Sequence, residues 1–280
     1  MKIVVIIGHW NSGSTLLTEL LSRHPAARPG RARHLPNREE RHTRRLLRQL
    51  ARRRGSCRRH EWCYYNRPQL DEAELAWFRA RLLRRLRPGN GGFALIKNPW
   101  LLYGHDLLTH ALAGHDVRYV YITRRGANQV TSWNAWFSEA RGLAEARANL
   151  MARARLWVDG VETYRHDWAE RDDCLAVRYE DLCREPLAAL DRLAEFAALR
   201  PSVWRPALPR EFTISDAKWQ ALPDCFREEI LGITAIAQSW LDEHVAPIDA
   251  VSHAGEWPRK DHPAVNRPRV SPPLVPQPSR

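Results

Sequence analysis

Short apolar runs alternate along this chain with longer stretches of helical period. Ile3 to Ile7 is an unbroken run of β-branched residues, the pattern of a strand covered on both faces, as in a parallel sheet between helix layers. Leu16, Leu17, Leu20 and Leu21 then recur at helical spacing until His24-Pro25, where proline disfavours helix in the residue before it. Arg28 to Pro36 is short and polar and predicts an extended edge or a loop. Arg38 to Arg54 sets Leu46, Leu47 and Leu50 in an arginine-rich background, which predicts a solvent-facing helix ended by Gly55. Asp71 to Arg87 is an amphipathic helix with Leu75, Phe78, Leu82, Leu83 and Leu86 on one side, closed by Pro88-Gly89. Phe93 to Lys97 reads as a buried strand, Leu101 to Ala113 as a helix and Val117 to Thr123 as a strand. Leu143 to Trp168 predicts one or two helices. A late strand from Cys174 leads into Arg178-Tyr179-Glu180-Asp181-Leu182, and helices follow over Leu187 to Phe196 and Pro223 to His244.

Strands and helices in alternation argue for a parallel sheet built from crossover units, hence a three-layer α/β fold with a central parallel sheet. The reading gives one domain over residues 1–244, with a basic insertion at 28–66 inside it. Residues 245–280 form a tail, with eight prolines after Ala246 and no helical period, which predicts an extended or disordered segment. There are no internal repeats.

The first strand ends in a glycine-bounded loop, Gly8-His-Trp-Asn-Ser-Gly13, and a helix opens at once with Ser14-Thr15. Strand, glycine loop and helix N-terminus together bind phosphate, because backbone N–H groups converge there and the helix dipole favours an anion. Gly8 and Gly13 keep Walker spacing, yet no lysine follows Gly13. The loop is therefore P-loop-like without the group that reaches β- and γ-phosphates. A second anion site is predicted where the strand Val117–Thr123 ends. Arg124 stands at its carboxyl end and Ser132 lies eight residues on, in the next helix. A guanidinium suits a dianionic phosphate because its fork donates two hydrogen bonds in a fixed geometry. Glu180 and Asp181 stand at a helix start, where negative charge is favoured, and are read as architectural.

Composition changes this picture in one place. The net charge is +12, and between Arg28 and Arg59 thirteen arginines face only Glu39 and Glu40. That segment implies an acidic partner or an anionic surface nearby. Nucleic acid is not expected there, because Trp62, Tyr64 and Tyr65 sit beside the arginines rather than among them. No stretch resembles a membrane span, and the apolar start is too short for a signal peptide. The five cysteines (Cys57, Cys63, Cys174, Cys183, Cys225) are odd in number and widely spread, so a reduced, cytoplasmic protein is expected. Cys57, His60 and Cys63 could ligate zinc, but their spacing is wrong for a finger and no second pair follows, so no metal is expected.

Three of these segments carry a resemblance. Asn11-Ser-Gly-Ser-Thr-Leu-Leu, with Leu21-Ser-Arg-His-Pro25 after it, resembles the first motif of the sulfotransferase family. Those enzymes use 3′-phosphoadenosine 5′-phosphosulfate (PAPS), and this loop holds its 5′-phosphosulfate. The resemblance implies Asn11, Ser12, Gly13, Ser14 and Thr15 as donor contacts. It gives Arg124 and Ser132 the donor's 3′-phosphate, although Arg125-Gly126 stand where the family has Asp/Asn-Pro. Arg178-Tyr-Glu-Asp-Leu182, then Pro186 and a leucine-rich helix, is similar to the family's late strand and next helix. Ser215-Asp-Ala-Lys218-Trp219 resembles its C-terminal segment, which folds over the donor, and implies Ser215 as a further donor contact. Lys97, before Asn98-Pro99, stands where the family has a lysine, and is the expected catalytic cation.

Two positions depart from the pattern. Asn11 replaces an arginine or lysine, and the family's glutamate base falls at Arg31-Ala32. His34, two residues past Ala32, faces the same way on an extended segment and is the expected base. The resemblance thus implies transfer of a sulfuryl group from PAPS to a hydroxyl or amine on a carbohydrate or small molecule. The alternatives are a P-loop kinase or nucleotide hydrolase, and a catalytically silent relative that keeps the donor fold.

Overall fold

The run of β-branched residues at the start of the chain becomes the middle strand of a five-stranded, wholly parallel sheet with order β2-β3-β1-β4-β5. The strands are β1 (Lys2–Gly8), β2 (Ala27–Arg28), β3 (Phe93–Lys97), β4 (Asp116–Thr123) and β5 (Cys174–Arg178). The computed structural model describes residues 1–28, 43, 45–50, 52, 71–84, 86, 92–132, 142–199, 214 and 216–247. Most of the 28–66 insertion, with Cys57 and Cys63, and residues 248–280 of the tail lie outside the described residues.

The helices are α1 (Ser14–Ser22), α2 (Glu72–Leu83), α3 (His105–Ala111), α4 (Gly126–Thr131), α5 (Leu143–Asp167), α6 (Tyr179–Arg184), α7 (Pro186–Phe196), α8 (Ala217–Gln220) and α9 (Asp224–His244). Strand side chains alternate between two cores, as period two requires. Val4 and Ile6 face α1 and α7, through Leu17, Leu20, Leu190 and Leu193. Ile3, Val5 and Ile7 face the opposite core, which holds Leu108, Trp157, Val161, Ile230 and Leu241. Two buried cores on one parallel sheet make three layers, as expected.

Sequence and structure differ in three places. Leu46, Leu47 and Leu50 are buried in the larger core, so the helical stretch at 45–50 has a core face and is not simply solvent-facing. Charged neighbours masked a stripe that only the completed sheet covers. The segment expected as one helix over 101–113 is a 3₁₀ turn, Pro99–Tyr103, followed by α3, with Gly104 between them. The helix expected over Asp71 to Arg87 stops at Leu83, short of Pro88. Its start is set by a capping box. Asp71 accepts from Glu74 N–H (2.7 Å), and Glu74 accepts from Asp71 N–H (3.3 Å).

Candidate functional site

A parallel sheet collects the carboxyl ends of its strands on one edge, and with β1 in the middle three tips meet there. In register, Gly8 lies beside Ile122 and Ile6 beside Lys97. The loop after β1, the lysine that ends β3 and the arginine that follows β4 therefore share one edge. They come from positions 8–15, 97 and 124 of the chain.

The loop is tightly seated. A Cβ at Gly8 would stand 2.5 Å from Ile122 O, so the loop leaves the sheet in contact with β4. Asn11 is left-handed, at φ 59°. Gly13, at φ 99°, is the N-cap of α1 and makes no side-chain cap. The first intrahelical bond here runs from Leu17 N–H to Gly13 O (3.0 Å), so the amides before Leu17 point out of the helix end. Ser12 is fully buried and its Oγ has no partner among the described residues. A helix N-terminus and an orphaned hydroxyl fit a bound oxyanion.

Lys97 closes β3 with 3% of its surface exposed. Its Nζ donates to Thr15 Oγ1 at 3.0 Å. The cation missing after Gly13 in sequence is thus supplied to the start of α1 from the neighbouring strand.

Arg124 is half-buried at the tip of β4, its guanidinium carbon 4.6 Å from the centre of the Tyr179 ring. Its Nε is buried without a partner among the described residues. The same ring lies against the loop, since a Cβ on Gly13 would sit 2.2 Å from Tyr179 Cδ2. One aromatic ring therefore touches both the phosphate loop and the guanidinium. Burial is the main cause that pushes the Tyr179 hydroxyl up to about 12, so the ring remains neutral at physiological pH.

Short helix α4 is held from several sides. Gly126 N–H donates to Gln238 of α9 (3.1 Å), and Arg125 N–H donates to Glu180 of α6 (3.0 Å). Asn128 Nδ2 donates to Asp216 (2.8 Å), and Lys218 Nζ donates to the Ser132 carbonyl (3.0 Å). The segment that carries Asp216 and Lys218 lies against α4 in this way. Ser132 Oγ, just after α4, donates to Gln129 O at 2.8 Å. Gln129 Nε2 reaches the loop itself, at 2.7 Å from Trp10 O and 2.8 Å from His9 Nδ1.

The structure thus brings together Asn11, Ser12, Gly13, Ser14, Thr15 and Lys97 around one helix start, with Arg124 across the Tyr179 ring. Ser132 stands at the far end of α4. His34 and Ser215 lie outside the described residues. Tyr179, His9 and Gln129 were missed by sequence reasoning. Tyr179 sits within a segment read as architectural, and the signal that could have marked it was its place directly after a strand end. Nothing local marks a partnership between residues 9 and 129. Among the described residues no cluster of metal-ligating side chains forms, and no described helix is long and apolar enough to cross a membrane.

Fold and site together define a P-loop-like α/β protein with a glycine-bounded loop, Lys97 and Arg124 on the same sheet edge. A family model described as "Sulfotransferase family" matches residues 4–203, and the chain belongs to that family. Among solved structures it is similar to the sulfotransferase STF9 from Mycobacterium avium, at 12% identity and TM-score 0.52, over 86% of this chain and 76% of that one. It is also similar to the sulfotransferase domain from the curacin biosynthetic pathway, at 17% identity and TM-score 0.50, over 84% of this chain and 96% of that one. These likenesses are of fold. No curated protein sequence matches the chain.

Proposed function

We propose that the chain transfers a sulfuryl group from PAPS to a hydroxyl or amine acceptor. The observation that carries this reading is the Tyr179 ring, which lies against Gly13 and under the Arg124 guanidinium. One ring thus neighbours both the loop after β1 and the guanidinium after β4, so a nucleotide with phosphates at both ends of its ribose would have an anion partner for each. Ser12 to Thr15 would hold the 5′-phosphosulfate, and Arg124 with Ser132 the 3′-phosphate. Ser132 would turn its proton from Gln129 O to the anion. Ser215 is proposed as a further donor contact.

In the reaction the bond from sulfur to the phosphate oxygen breaks, a bond from sulfur to the acceptor forms, and the acceptor gives up its proton. Adenosine 3′,5′-bisphosphate leaves. Charge therefore grows on the bridging oxygen, and the protein's task is to meet it with preorganised donors. Lys97, whose Nζ reaches Thr15 at the helix start, would take that role together with the amides of α1. His34 is proposed as the group that takes the acceptor's proton. Family membership and the lack of a lysine after Gly13 count against a kinase or hydrolase. Asn11, exposed where the family carries a cation, favours a second reading, a relative that binds the donor without turnover.

Calorimetry with adenosine 3′,5′-bisphosphate tests the donor site. Arg124→Ala is expected to weaken binding at least about tenfold, or about 1.4 kcal/mol, as for loss of one charged contact. Equal affinity in both proteins overturns the assignment. Turnover of radiolabelled donor over a panel of acceptors then separates an enzyme from a silent relative.

A further inference from the structure

We infer that Gln129 is a positioning residue that fixes the distance between the two anion sites, by tying the phosphate loop to α4, the helix that links Arg124 to Ser132. The inference rests on the donor reading above and goes beyond it, since neither Gln129 nor His9 belongs to the residues assigned to the donor. Gln129 is 3% exposed and His9 8%, so the contact is removed from solvent. Both N–H groups of one side-chain amide are used, one on Trp10 O and one on His9 Nδ1.

The chemistry fixes its own orientation. Trp10 O can only accept, so the amide nitrogen, not its oxygen, must face it. The second N–H then points at His9 Nδ1, which must be unprotonated. The imidazole is therefore neutral with its proton on Nε2. Gly160 of α5 closes the far side of the ring, where a Cβ would stand 3.0 Å from His9 Cδ2. His9 Nε2 and Gln129 Oε1 are both buried without partners among the described residues. Two orphaned polar atoms are a cost that general packing would avoid. They are kept beside the two hydrogen bonds that join the loop to the helix after β4. Burial, with the charge of Arg153 and only partly offset by the Trp10 carbonyl, keeps the ring neutral.

A spacer of this kind affects a ligand that spans both sites and spares one that fills a single site. Binding of adenosine 3′,5′-bisphosphate, adenosine 5′-monophosphate and adenosine 3′-monophosphate is measured for wild type, Gln129→Glu and Gln129→Met. The bisphosphate is expected to weaken about tenfold in both variants, and each monophosphate less than about threefold. Unchanged bisphosphate binding, or an equal fall for all three nucleotides, overturns the spacer. Wild type that binds none of the three overturns the donor reading and this inference with it. Should the variants fail to fold, ¹⁵N shifts of the His9 imidazole in wild type decide. A proton on Nε2 supports the bond to Gln129, and a proton on Nδ1 overturns it.

Discussion

Gly13 carries two constraints at once, a left-handed backbone and a side-chain-free face against Tyr179. Gly13→Ala is expected to cost at least about 2 kcal/mol, because a strained φ and an overpacked contact add. Thermal melts would show it, and an unchanged midpoint would mean that the ring and loop are not in contact. His9 supplies a pH signature. Burial chiefly, with Arg153, lowers its folded pKa from 6.5 to about 4. The unfolded chain therefore binds a proton over that window and the folded one does not. The His9 contribution is complete above pH 6.5 and is lost as pH falls toward 4, with an upper bound on the order of 3 kcal/mol. His9→Asn keeps an acceptor for Gln129 and cannot titrate, so its melting temperature should fall less steeply over pH 6.5 to 4.5. Equal slopes would place the titration elsewhere.

At the scale of elements, what the sequence disclosed was set by local periodicity. Phe93–Lys97 and the strand ending at Thr123 were legible because β-branched and aromatic runs bounded by turn residues have few other uses. The start of α2 was legible too, since Asp71 and Glu74 are spaced for mutual capping. Asp71→Ala should cost about 1 kcal/mol in a denaturant melt and leave nucleotide affinity unchanged, because neither Asp71 nor Glu74 is among the residues proposed to hold the donor. A change in affinity would mean that α2 communicates with the site. The break between Pro99–Tyr103 and α3 was not legible, because the leucines on either side of Gly104 keep a continuous period. Loop, Arg124 and Lys97 could each be found from their place after a strand. Tyr179, directly after β5, offered the same signal, but His9 and Gln129 did not, since each gains its role from the other across 120 residues. Such contacts leave no trace in spacing.

Across the whole molecule, the middle strand sets the terms. With β1 between β3 and β4, the sheet edge collects chemistry from the first fifteen residues, from residue 97 and from residue 124, and Tyr179, directly after β5, lies against the loop and under Arg124. During synthesis the loop emerges first and for a long time has nothing opposite it. A chain released after β3 would own Lys97 and the glycine turn but not Arg124, and one released after β4 would lack the Tyr179 ring. On the proposed donor reading, competence to hold a nucleotide comes only after β5 and Tyr179 have been made, and a shorter product would carry the family's opening motif without the paired sites.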